Sequence, residues 1–309
     1  MKEESGKRKV ERGKRKEERG KRKMCGAWVC CALFFIFHFS FFNFSMAQHG
    51  DLMGRSELLF AGGGMTYLGD LNEQSAFGEV NAAGSLGVRT WLDNRWALRG
   101  TVAYGAISAM HDCIEARNLS FRSNLFEASL VVEFTFRPYG PGATESPWTP
   151  YLFGGVGVFH FNPKTKYTSF DGTEQWVELQ PLCTEGQGTT LYPERRPYRL
   201  IQTAMPFGVG VRWRVSKSLS LAVEYGFRKT WTDYLDDVST TYVGSELLAA
   251  QVSDGVMAAQ VADRSNEPNA PGIKRGDDSL DDWYSYFNLS VGINLNTLFG
   301  WMKSKKCRN

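Results

Sequence analysis

Between Phe126 and Arg137 the chain alternates almost without a break. Phe126, Ala128, Leu130, Val132, Phe134 and Phe136 share one parity; Glu127, Ser129, Glu133, Thr135 and Arg137 share the other. Among regular backbones only the β-strand repeats every two residues, so this segment is read as a strand with one apolar and one polar face. The same alternation recurs over about 80–90, 96–107, 207–215, 219–228 and 283–295. Two further segments, Glu57–Tyr67 and Tyr151–Phe161, keep the length but are interrupted by Gly62-Gly63-Gly64 and Gly154-Gly155, which mark bends or close packing. That makes eight strands, an even number that can close on itself. Each is about as long as a strand that crosses a bilayer at a tilt.

The connections separate into two kinds. Asp93-Asn94-Arg95 and Ser216-Lys217-Ser218 are short, and the Pro/Gly stretch 138–150 lies at the same end. The others, about 68–79, 108–123, 162–202 and 230–282, are long. Short turns at one end and long loops at the other are the pattern of an eight-stranded antiparallel transmembrane β-barrel, with the turns and both termini periplasmic and the loops outside. A soluble up-and-down barrel or β-sandwich would turn the apolar face inward and wet the charged face. The polar face argues against that, being poor in Lys and rich in Arg, Glu, Gly, Ser and Asn. It suits a narrow lumen in which Arg89, Arg99, Arg137, Arg212, Arg214 and Arg228 meet Glu127, Glu133 and Glu224. Charges in so narrow an interior must be paired. Eight strands leave an interior that side chains just fill, so an open pore is not expected.

The net charge of +3 hides a strong asymmetry. Residues 1–23 hold 12 Lys/Arg and 5 Glu, with GKRK repeated at Gly6, Gly13 and Gly20; residues 24–48 hold no charge. A basic stretch, an apolar run through Phe42 and the small residues Ser45 and Ala47 form a secretory signal peptide in order. The expected division is a signal peptide with basic extension at 1–47, a short periplasmic N-terminus at 48–56, the barrel at 57–297 and a basic periplasmic tail at 298–309. The chain beyond the first 48 residues has 24 basic and 28 acidic side chains, which disfavours nucleic acid as a partner.

Little in the sequence supports catalysis. His49, His111 and His160 are the histidines beyond the signal segment. His160 reads as lumen-facing near the outer end of its strand. An outer-membrane lipid or ester hydrolase would need it beside Ser108, Ser120 or Glu185. The expectation is therefore no enzyme, no cofactor and no metal, with an enzymatic barrel or a loop-mediated binding or adhesion barrel as the alternative. The last loop, 231–282, carries 11 Asp/Glu against 3 Lys/Arg, yet lacks the spacing of a calcium-binding loop; its middle, Ala249–Ala270, reads as mobile. Cys113 and Cys183 fall in long loops on the same outer side, a possible disulfide. Cys307 falls in the tail beside Lys305, Lys306 and Arg308, a basic flank that favours thiolate. It is read as free, paired with a second copy or paired with a periplasmic partner.

Several stretches carry a resemblance. They are Gly69-Asp70-Leu71-Asn72, Arg117–Arg122, Thr149-Pro150-Tyr151-Leu152-Phe153, Leu179-Gln180-Pro181-Leu182 and Thr184–Gly188. The most specific is Gly226-Phe227-Arg228-Lys229-Thr230 followed by Thr232–Ser239. With these the chain, from about Leu58 to Leu295, resembles the PorG-like outer-membrane β-barrel family of Bacteroidetes, which includes a component of the type IX secretion system. Cys183 stands where that family would have Gly. The resemblance implies a non-catalytic barrel in the outer-membrane lipid that anchors or docks a periplasmic ring of PorK and PorN type, with Cys307, Lys305 and Lys306 as possible contacts.

Overall fold

A computed structural model describes residues 54–72, 79–110, 117–143 and 146–297. Residues 1–53, Cys113, Cys307, Lys305 and Lys306 lie outside the described residues. In chain order the elements are β1 (Ser56–Leu68), β2 (Asn81–Trp91), β3 (Trp96–Met110), β4 (Ser120–Thr135), β5 (Trp148–Thr168), β6 (Glu174–Glu178), β7 (Ile201–Arg214), β8 (Leu219–Thr230), two short helices, α1 (Ser245–Gln251) and α2 (Gly255–Ala262), and β9 (Trp283–Asn294). Every strand pairs antiparallel with its sequence neighbour, except that β5 pairs with both β6 and β7. β1 pairs with β9, for example Gly62 opposite Leu289. Leaving β6 aside, the other eight strands form a closed ring with no free edge.

The alternation sets which face meets which medium. Outward residues such as Leu86, Val102, Leu130, Val156, Val209 and Leu289 are exposed, while inward Arg89, Glu127, Glu133, Arg212 and Glu224 are buried. A soluble protein rarely exposes so large an apolar surface. Aromatic rings bound it at both ends. Trp96 contacts Phe134, and Trp148 pairs with Trp213, at the periplasmic end. Tyr104 pairs with Phe126, and Phe207 packs on Trp283, at the other. The eight residue steps from Phe126 to Phe134 span ~20 Å along the barrel axis at ~3.3 Å per residue and the usual strand tilt. That height suits a hydrocarbon core between two interfacial aromatic belts.

Glycine makes room inside. The Phe153 ring lies over Gly208 and Gly226, where an added Cβ would sit 2.7 and 2.6 Å from its Cζ. Bulky rings therefore point into a lumen that Val or Leu at those two positions would obstruct.

The outer end departs from the sequence reading in two places. Residues 162–202 are only partly loop: β5 runs on to Thr168 and folds back as β6, with Lys164 opposite Glu178. Residues 249–270 are not all loop: they take in the end of α1 and all of α2. Leu248 of α1 and Ala258, Val261 and Ala262 of α2 join one core with Tyr67, Phe121, Phe161 and Tyr198. That burial is supplied by the barrel rim and cannot be read locally.

Candidate functional site

Two polar assemblies fill the barrel. The first lies in the lumen and is centred on Glu133, which is fully buried. Its carboxylate accepts Arg89 Nε at 2.8 Å and Arg212 Nη2 at 2.6 Å, and stands 3.1 Å from Arg99 Nε. Arg89 reaches on to Glu57 at 2.9 Å, and Arg99 to Glu224 at 2.6 Å. One layer up, Arg228 donates to Glu127 at 3.1 Å, and the hydroxyl of Tyr284 donates to the same oxygen at 2.8 Å. Tyr151 donates to Glu224 at 2.9 Å. Four arginines thus balance four glutamates, the neutrality that a poorly hydrated interior demands. Arg suits this better than Lys because its planar fork spans several carboxylates.

Arg212 shows how the network ends. Its Nε and Nη1 have no hydrogen-bond partner. The guanidinium instead lies 4.4 Å from the Tyr151 ring centroid and 5.3 Å from that of Trp91, so aromatic faces take the place of acceptors. A gap of about 20 Å³ remains among Arg99, Glu127, Glu224, Arg228 and Tyr286, space for about one water. Among the described residues, the buried arginines and glutamates fill the lumen at this layer. Below it a vestibule of about 330 Å³ opens at the periplasmic mouth between Glu57, Trp91, Tyr139 and Arg214.

Most of the expected lumen residues meet here: Arg89, Arg99, Arg212, Arg228, Glu127, Glu133 and Glu224. Two do not. β4 ends at Thr135, so Arg137 is an exposed rim residue stacked 4.1 Å over Trp148. Arg214, at the end of β7, binds the carbonyls of Tyr139 and Ala143 at the mouth. In both cases parity loses its meaning at the end of the strand. Glu57 joins the network without having been singled out by sequence, although it stands on the inward parity of the first strand with Leu59. His160 is a further correction: it is exposed on the outward face, opposite Phe126.

The second assembly is the extracellular cap. Thr232–Ser239 leaves β8 and turns down over the barrel mouth, with Leu235, Asp236, Asp237 and Val238 buried. Glu185 is its hub. It accepts the backbone N–H groups of Ser239 and Thr240, the Thr240 hydroxyl at 2.6 Å, the Tyr234 hydroxyl at 3.2 Å and Arg275 Nη1 at 3.0 Å. Asp237, held at φ 69°, accepts the hydroxyls of Thr184 at 2.5 Å and Tyr198 at 2.7 Å. Burial pushes its carboxyl up to about 6, against the pull of Arg275. Phe161, Tyr198 and Tyr234 stack in a column, with centroids 6.0 and 4.8 Å apart.

Cys183 ends a one-turn 3₁₀ helix at φ 45°, a left-handed conformation that favours Gly. This gives a physical reason for Gly as the residue of choice there. Cys183 is a free thiol, pushed up by burial and by Asp237. The other half of the expected bridge, Cys113, is outside the described residues.

Glu185→Ala would leave Arg275 buried beside one remaining carboxylate, a loss of ~3 kcal/mol typical of a broken buried pair. The expected outcome is a cap cleaved faster by protease in a barrel that keeps its heat-modifiable gel mobility.

No family model and no curated protein matches the sequence. Among solved structures, a major outer membrane protein from Thermus thermophilus is 13% identical with a TM-score of 0.38, covering 77% of this chain and 98% of its own. The attachment invasion locus protein Ail of Yersinia pestis is 11% identical at a TM-score of 0.37, covering 78% and 97%. Neisserial surface protein A is 10% identical at a TM-score of 0.35, covering 77% and 96%. The medium is set by the exterior of the ring itself. A closed barrel that is apolar outside for the height of a hydrocarbon core, and charged inside, belongs in a lipid bilayer; this chain is a β-barrel protein of the outer-membrane type.

Proposed function

We propose that the chain is a non-catalytic outer-membrane subunit of the type IX protein secretion system, exported by a cleaved signal peptide, that anchors or docks the periplasmic ring. The observation that supports it best is the double closure. A neutral Arg/Glu layer fills the lumen and a folded cap fills the outer mouth, so the barrel offers its partners an anchor and two end surfaces rather than a path. The family resemblance supplies the system. Gly69–Asn72, Thr184–Gly188 and Thr232–Ser239, distant in sequence, converge on the cap, which gives those stretches a common structural task. Among the described residues, the vestibule and the turns at 92–95, 136–143 and 215–218 offer periplasmic surface to a ring of PorK and PorN type, with Cys307, Lys305 and Lys306 of the basic tail as further contacts.

Deleting the gene tests the proposal. Cargo bearing the type IX C-terminal signal should accumulate in the periplasm, and a tagged copy should retrieve the ring proteins from solubilised outer membrane. Normal cargo export in the deletion strain removes this reading. It would favour a barrel that acts through its cap by binding or adhesion.

A further inference from the structure

Three side chains under the cap cannot satisfy one another with the protons they have when both acids are ionised. The hydroxyl of Tyr67, at the outer end of β1, lies 2.7 Å from Asp236 Oδ2 and 2.6 Å from Asp282 Oδ1. A phenol has one hydrogen to donate. The other oxygen of each acid is already taken: Asp236 Oδ1 accepts the N–H of Val238 at 2.9 Å, and Asp282 Oδ2 accepts the N–H of Leu235 at 2.9 Å. Were both acids ionised, one of the two short contacts at the phenol would join two oxygens with no hydrogen between them. All three side chains are buried, so water does not resolve the conflict.

We propose that Tyr67, Asp236 and Asp282 form a proton latch: one carboxyl keeps its hydrogen and donates it to the phenol oxygen, the phenol donates to the other, and the chain of two bonds ties both ends of the last extracellular loop to β1. Asp236 stands at the beginning of that loop and Asp282 at its end, so a single shared proton fastens the cap. Gly69 backs the latch, since an added Cβ would lie 1.9 Å from Asp282 Oδ1 and 2.2 Å from the Tyr67 oxygen. The surroundings favour retention of the proton. Asp70 faces the pair from the turn after β1, and Asp233 from the same loop. Glu185 and Asp237 hold Arg275, the nearby cation. Burial, and for Asp282 the charge of Asp236, push both carboxyls above the usual range.

The sign follows from where the proton goes. The closed cap keeps it; an opened cap releases it to water at any pH above the ordinary carboxylate value of ~4. Opening is therefore favoured as pH rises from there through the closed-state value, by tenfold per pH unit for one proton. The latch is tightest at acid pH and loosens steadily as pH rises toward the closed-state value.

The full-length barrel, folded in detergent, provides the test. Cleavage within the last loop is followed from pH 5 to 8 and normalised to a free peptide of the same sequence. Asp282→Asn removes the titrating proton while its amide still donates to the phenol. Its cap-opening constant should rise less steeply than that of the wild type, by one factor of ten per pH unit. The infrared band of a protonated carboxyl, present at neutral pH in the wild type, should shrink in the variant. Equal slopes, or a band unchanged by the substitution, would overturn the latch. If Asp282→Asn does not yield a folded barrel, Asp236→Asn carries the same two measurements, because either amide abolishes the shared proton. Gly69→Ala should raise cleavage across the whole pH range.

Discussion

Glu133→Ala is expected to prevent stable folding of the barrel, while Glu178→Ala leaves it intact. The contrast rests on burial. Glu133 is fully buried and answers three guanidinium groups, those of Arg89, Arg99 and Arg212. Removing it leaves a charge-balanced lumen with an excess of positive charge and little room for water to screen it. Breaking a single buried pair costs ~3–5 kcal/mol, and here three pairs lose their common partner. That is a large share of the stability of an ordinary domain. Glu178 also forms an ion pair, 2.9 Å from Lys164, but both are about half exposed, and such pairs contribute about 0–1 kcal/mol. Heat-modifiable mobility on gels and the urea midpoint after refolding into vesicles measure both. A Glu133→Ala barrel as stable as wild type would mean that the lumen is wet enough to solvate three arginines, contrary to the packing described above.

The barrel is legible in the sequence because period two does not depend on what a strand packs against. Phe126–Phe136 names its lipid face by alternation alone, and the paired Arg and Glu on the other parity name the lumen. Parity fails where a strand ends, which is why it assigns Arg137 and Arg214 to a network they do not touch. It fails again on β5, for a different reason. There Tyr151, Phe153, Phe159 and Phe161 point inward and His160 points out. The rings are admitted by glycines on neighbouring strands, such as Gly208 and Gly226, so local hydrophobicity cannot identify the face. The cap is legible only in fragments. Its acids are visible as a charge excess, but Asp236, Asp282 and Tyr67 lie far apart in sequence: the bond from Tyr67 to Asp282 spans 215 positions. No spacing rule joins them. α1 and α2 escape a local reading because their apolar partners belong to the barrel rim.

The medium outside the barrel is tested by one residue on the opposite parity. Leu130 is exposed on β4, opposite Gly100 on β3 and Val156 on β5, midway between the two aromatic belts. Leu130→Arg places a guanidinium at the level of the hydrocarbon midplane, where it costs ~2–4 kcal/mol in barrels of this kind. Insertion into vesicles should slow and the urea midpoint fall. The same variant refolded in short-chain detergent, where the long side chain can bend to water, should recover much of the loss. Ser129→Arg, one residue away, reverses the logic. It faces the gap of about 20 Å³ beside Arg99 and Arg228, so it adds a fifth arginine to a lumen balanced at four against four. Its penalty should persist in detergent, because detergent does not reach the lumen. If Leu130→Arg inserts and folds like wild type while Ser129→Arg alone is harmed, the outward face is in contact with water, and the barrel is a soluble one.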